Sequence, residues 1–200
     1  MAVFTNLFHL GEVLVARIEA ALAEAGEPAL PPGTISVGPP LDNPTVQTEQ
    51  IRVSLLWCSP QATHRNDPWE RATDGSLQPP PLSLSTAWLI TTYGSTGTDE
   101  PVRAYQLLGM VLQGFHAQSR LVLPLSGLPG RGTGGLDVVL EPMNAEALDR
   151  VFSPLQLKHR PFALYEVGPV QLVSTAAAVP GGPVVQPGGA RVAVQTQGTP

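Results

Sequence analysis

The chain has 200 residues, of which 42% are hydrophobic and only 14% charged, against roughly 25% charged in ordinary soluble domains. Its net charge is −5, Lys158 is the only lysine and the arginines are scattered, which argues against binding to a nucleic-acid backbone. Cys58 is the only cysteine, so no intramolecular disulfide can form, and a surface this poor in charge either exposes neutral area or hides it in an assembly.

At the N-terminus Phe4, Leu7, Phe8, Gly11, Leu14, Val15, Ile18, Leu22 and Ala25 recur at three- and four-residue steps. That spacing predicts a helix with one face on a sheet, begun by Thr5 or Asn6 and ended by Gly26 and Pro28. Leu10 and Val13 lie off the stripe, leaving room for a second apolar contact. Glu12, Arg17, Glu19 and Glu24 interrupt the apolar run, and a charged leader region and a cleavage site are lacking. Neither a membrane span nor a secretion signal is expected, and the cytoplasm is the expected compartment.

Thr34 to Val37 reads as a short strand between proline-rich turns. Ile51, Val53, Leu55 and Trp57 alternate with Arg52, Ser54, Leu56 and Cys58, the period of a strand with one face buried. Ser59 to Gln78 shows no sustained period and reads as a long loop, in which Trp69 and Arg71 are candidate interface residues. A second strand follows in PPPLSLSTAWLITTYG, with Leu82, Leu84, Trp88 and Ile90 on one face and Ser83, Ser85, Thr91 and Tyr93 mostly on the other. Its leading prolines lack amide donors and limit pairing before the strand begins.

From Asp99 to Gln118 the period becomes helical, with Asp99 as N-cap and Val102, Tyr105, Leu108, Gly109, Leu112 and Phe115 as the expected buried face. GLPGRGTGG, which contains Arg131, reads as a flexible loop, and it lacks the GK[ST] ending of a phosphate loop. Leu136 to Leu140 predicts a strand, Asn144 caps a short helix through Phe152, and Phe162 to Val173 predicts a last strand with Gly168 and Pro169 marking a bulge or an edge. After Ser174 the proline and glycine content argues for an extended arm, in which Val192, Val194 and Thr196 alternate as in a strand that could join a neighbour's sheet. The expected organisation is an α+β domain over 1–174, a mainly antiparallel sheet packed against helices, followed by a C-terminal arm over 175–200.

The side chains offer little chemistry. His9, His64, His116 and His159 share no metal-binding spacing, and no cofactor is implied. Cys58 with His64 as its base would make a thiol nucleophile, but Cys58 ends an apolar strand and reads as a half-buried structural thiol. No serine sits in a GxSxG elbow, so a small hydrolase is the most distant of the readings considered.

The segment PPPLSLSTAWLITTYG followed by EPVRAYQLLGMVLQGFHAQ resembles the tail-terminator, or cap, proteins of extracellular contractile injection systems of the virulence-cassette and antifeeding-prophage type. The marks are Pro80, Pro81, Leu82, Leu84, Leu89, Thr92, Tyr93 and Gly94, then Tyr105, Leu107, Leu108, Gly109, Leu112 and His116. LDVVLEPMNAEALDRVFSPL and ALYEVGPVQLV resemble two further blocks of that family, and IRVSLLWCSP resembles an earlier strand less closely. The resemblance implies a terminator-like fold and a structural protein that ends the tube and sheath as a six-fold ring, with tube and sheath proteins as partners. It also implies that Gly94 lets the chain turn and that Gly109 brings its helix close to the sheet. An adaptor of another phage-like contractile tail is the alternative it leaves open.

Overall fold

The computed structural model describes residues 2–4, 6–41, 48–62, 68–71, 75–95, 100–122, 135–143, 146, 149, 152–153 and 160–172. In chain order the elements are β1 (Ala2–Phe4), α1 (Leu7–Glu24), β2 (Ile35–Val37), β3 (Gln50–Pro60), β4 (Glu70–Arg71), β5 (Leu77–Gln78), β6 (Leu82–Tyr93), α2 (Glu100–Ala117), β7 (Arg120–Val122), β8 (Gly135–Leu140) and β9 (Phe162–Leu172). Seven strands form one sheet in the order β2-β3-β6-β9-β8-β7, with β1 added to β9, while β4 and β5 form a separate hairpin. Only the β1–β9 and β2–β3 pairs are parallel. The long strands β3, β6 and β9 therefore make an antiparallel centre, as α+β patterning predicts.

α1 starts where Asn6 Oδ1 accepts a hydrogen bond from the His9 amide at 3.0 Å. It ends at Gly26, whose φ of 77° lets the Glu27 amide reach back to the Leu22 carbonyl. Phe4 precedes the helix and is buried in β1, not on the helical stripe. Phe8 is exposed, and Leu10 and Val13, outside the expected stripe, are buried. The cause is a second contact: α1 packs on the sheet and on α2 at once, so its buried arc is broad and turned toward Leu10 and Val13.

One sheet face carries Ile51, Val53, Trp88, Ile90, Ala163, Tyr165, Val167, Leu136 and Val138 into the core, where they meet Leu14 and Ile18 of α1 and Leu107, Val111 and Phe115 of α2. Each fully buried aliphatic or aromatic side chain there stabilises the fold by about 1.5–3 kcal/mol. Leu82, expected to share this inward face, is exposed because β6 begins beyond the helices.

α2 buries Ala104, Leu107, Val111, Gly114 and Phe115. The face expected from Val102, Tyr105 and Gly109 points outward instead, and only Phe115 of that stripe is fully buried. Two polar bonds fix the orientation. Thr92 Oγ1 donates to the Ala104 carbonyl at 2.9 Å, and Arg17 Nη2 donates to the Gly114 carbonyl at 2.7 Å. Gly109 has open space where a side chain would stand, so it brings no surfaces together; Gly114 does, against Ala21. The expected N-cap, Asp99, lies outside the described residues, as do Asn144 and most of the GLPGRGTGG loop. Among the described residues no helix is long and apolar enough to cross a membrane.

The bulge expected at Gly168 and Pro169 is present, and it coincides with a change of partner. Leu84 pairs with Val170 and Thr86 with Val167, so Gly168 and Pro169 bulge opposite Ser85. Up to Gly168 the other edge of β9 holds β8, and from Val170 it holds β1. Pro169 thus falls where the ladder lacks a partner for an amide donor.

Tyr165 makes the core sensitive to alkali. It packs against Phe115 at a ring separation of 4.9 Å, and burial pushes its phenol up to about 12. A phenol raised in the fold contributes stability that is complete below its unfolded value near 10 and is lost as pH climbs through the folded value. Tyr165→Phe should therefore flatten the fall in unfolding free energy between pH 10 and 12, by up to about 2–3 kcal/mol at the upper end. Denaturant titrations of both chains across that range measure it, and parallel alkaline limbs would remove Tyr165 as the cause.

Candidate functional site

The start of α2 is held from three sides. Arg103 pairs with Glu49 at 2.6 Å and with Glu27, tying the helix to the entry of β3 and the exit of α1. The hydrogen bonds that Arg103 donates to Glu49 and then to Glu27 push its pKa upward, keeping the guanidinium charged. Arg160 pairs with Glu100 at 2.6 Å and lies 5.9 Å from the centre of the Tyr93 ring. The Tyr93 hydroxyl accepts from the Leu41 amide at 2.8 Å.

This clamping presents one side of α2 to solvent. Val102, Tyr105, Gln106, Gln113 and His116 are exposed along it, Gly109 and Leu112 are half-buried among them, and none carries a permanent charge. Val102 is 57% and Tyr105 64% exposed. Solvent-facing helix sides normally carry charged residues, and an uncharged one with an exposed valine and tyrosine is the composition of a contact surface.

A second exposed region is the far end of the β3–β6 pair. The register shifts between Leu55 and Trp57, so alternation breaks and the strand faces exchange. Leu55 and Trp57, expected on one buried face, are both exposed. Cys58, expected half-buried, is exposed for the same reason: β3 has run past the helices. The expected long loop beyond Pro60 contains the β4–β5 hairpin, where Trp69 is 51% exposed and Arg71 is also exposed.

The other named residues are dispersed. Pro80 and Pro81 are half-buried at the entry to β6, and Tyr93 and Leu107 are buried. Leu108 packs partly against the core. Gly94 has no left-handed backbone; its requirement is space, because a Cβ there would overlap the Glu100 carbonyl oxygen and stand 2.9 Å from its carbon. The turn expected of Gly94 is thus a close approach to the first residue of α2. Arg131, Val192 and Val194 lie outside the described residues, as does His64, the base considered for Cys58. Among the described residues no group of three His, Cys, Asp or Glu side chains could hold a metal ion. The outward side of α2 was the feature that periodicity misassigned: the apolar repeat was visible, but not which way it faced.

The fold is shared with solved assemblies. The chain is similar to the sheath/tube terminator of PVC, an extracellular contractile injection system, in its extended state, with a TM-score of 0.60, 18% identity, and coverage of 90% of this chain and 62% of that one. It is also similar to the tube-terminating cap of the anti-feeding prophage, with a TM-score of 0.56, 17% identity, and coverage of 88% and 59%. The chain thus spans about three fifths of the length of these structures. No curated protein sequence matches it. Residues 9–186 match the family model described as the Pvc16 N-terminal domain, and the chain belongs to that family.

Proposed function

We propose that this chain is a structural cap of a contractile injection particle, ending its inner tube and sheath and fixing their length. Subunits meet through heterologous contacts that close into a ring, six to the turn, and the ring docks on tube and sheath proteins. The role requires no catalysis, cofactor, nucleic acid or membrane insertion, and the particle is assembled in the cytoplasm. The observation that carries the reading is the uncharged outward side of α2, where Val102 and Tyr105 are exposed, on a fold shared with two terminators. A contact surface without charge is suited to burial between subunits, where an unpaired charge would be costly.

The test is polymerisation of tube and sheath proteins from the same particle, with and without the purified chain. Added chain should narrow the length distribution seen by negative-stain microscopy and appear as a ring-shaped density at one end. Tubes of unchanged, unlimited length with bare ends would refute the capping role.

A further inference from the structure

On the sheet face opposite the helices Leu89, Thr91 and Leu164 are buried at one end, while Trp57 and Val139 are exposed at the other. Across its open part Trp57, Ala87, Glu166 and Val139 stand in one row over four strands: Trp57 pairs with Ala87, Ala87 with Glu166, and Glu166 with Val139. The segment after β8 runs beside this row, and between them lies a groove of about 380 Å³. Trp57, Met143 and Leu164 form its apolar walls, while Glu141 and Glu166 bring two carboxylates. Ser85 Oγ donates to Glu166, and among the described residues no lysine, arginine or histidine lines the groove. An apolar slot with two carboxylates and a half-exposed indole suits an arginine: its planar guanidinium stacks on the ring and donates to carboxylates in fixed directions.

The chain carries such a group. Arg191 is the only charged side chain after Glu166, and it stands between Ala190 and Val192-Ala193-Val194. This segment lies outside the described residues and beyond residue 186, where the family match ends. We infer that the segment Ala190–Thr196 of this chain docks in the Trp57–Glu141–Glu166 groove of its own subunit, with Arg191 between the two carboxylates. Reach permits it. The described chain leaves the sheet at Leu172, six residues along β9 from Glu166, a separation of about 20 Å. The eighteen residues from Val173 to Ala190 extend to about 60 Å. Tethering supplies an effective concentration on the order of millimolar, so modest contacts suffice. The inference is independent of capping, since it concerns the free subunit.

Trypsin cleavage of the Arg191–Val192 bond in the full chain, followed by intact mass, tests it. Wild type should be cut about tenfold more slowly than Glu141→Gln/Glu166→Gln, whose substitutions lie on the groove and leave the core untouched. Equal rates would overturn the docking. So would protection lost in Val192→Asp/Val194→Asp but kept in the glutamine variant, which would put the arm on a sheet edge. Protection that vanishes on dilution would assign the arm to another copy and also overturn it. Arg191→Glu offers a readout that leaves the groove intact: in a Trp69→Phe background, where Trp88 is buried, the emission of Trp57 should shift to the red. Unchanged emission would count against docking.

Discussion

Gly114→Leu should abolish the soluble folded chain, while Gly109→Leu in the same helix should leave it folded. A Cβ at position 114 would overlap the Ala21 Cβ and stand 3.2 Å from the Ala21 Cα, so α1 and α2 touch nearly backbone to backbone there. The helices cannot relax apart freely. Arg17, itself buried, donates to the Gly114 carbonyl at 2.7 Å, and separation would break that bond and leave the guanidinium with only its pairing to Glu24 on its own helix. Overpacking of this kind costs about 1–3 kcal/mol and sometimes more, and a lost charge-assisted hydrogen bond adds about 1.5–3 kcal/mol. Together these come to about 2.5–6 kcal/mol, which reaches the lower end of an ordinary domain's stability, about 5–15 kcal/mol. At Gly109 nothing lies within 4 Å of the added atom, and the glycine's helical penalty of about 1 kcal/mol is relieved. Denaturant midpoints and soluble yields of the two variants decide the matter. A stable Gly114→Leu chain would mean that the α1–α2 contact does not govern folding.

The contrast between these glycines shows how far the sequence could be read. β3, β6, β8 and β9 were legible because each alternates or runs apolar between turn residues, and both long helices because their periods persist for several turns. The inward side of α2 was not legible. Apolar residues occur around much of its circumference, and its buried side is marked by Ala104 and Gly114, which contribute little to a hydrophobic stripe and are selected by space. β1, β7 and the β4–β5 hairpin were missed because segments of two or three residues hold no period and their pairing partners define them; β2, equally short, was legible only from the proline-rich turns around it. The exposure of Trp57 and Cys58 depends on a register shift after Leu55, and alternation in one strand cannot reveal what the facing strand does. The uncharged side of α2 could have been suspected from one signal: between Arg103 and His116 the helix carries no Asp, Glu, Lys or Arg at all.

Val102→Glu/Tyr105→Glu should remove the chain from its assembly without disturbing its fold. Both side chains are more than half exposed in the subunit, and substitutions at such positions change stability by about 0.5 kcal/mol or less. If the outward side of α2 is buried between subunits, the same two carboxylates must be desolvated there without partners, which costs several kcal/mol. Incorporation into particles should then fall by at least about a hundredfold, since each 1.4 kcal/mol is a factor of ten. The lysine pair at the same positions discriminates the cause. Desolvation penalises either sign, so both pairs should fail if the contact is neutral and dry; a contact steered by charge would reject one pair and tolerate the other. Gly109→Leu completes the series, because it keeps the fold but adds a side chain where nothing lies within 4 Å, and it should weaken assembly through shape alone. Melting curves confirm the fold, and pull-down with tube and sheath proteins followed by microscopy measures incorporation. Normal capping by both charged pairs would move the interface away from α2, to the exposed end of β3 where Trp57 stands or to Trp69 beside the β4–β5 hairpin.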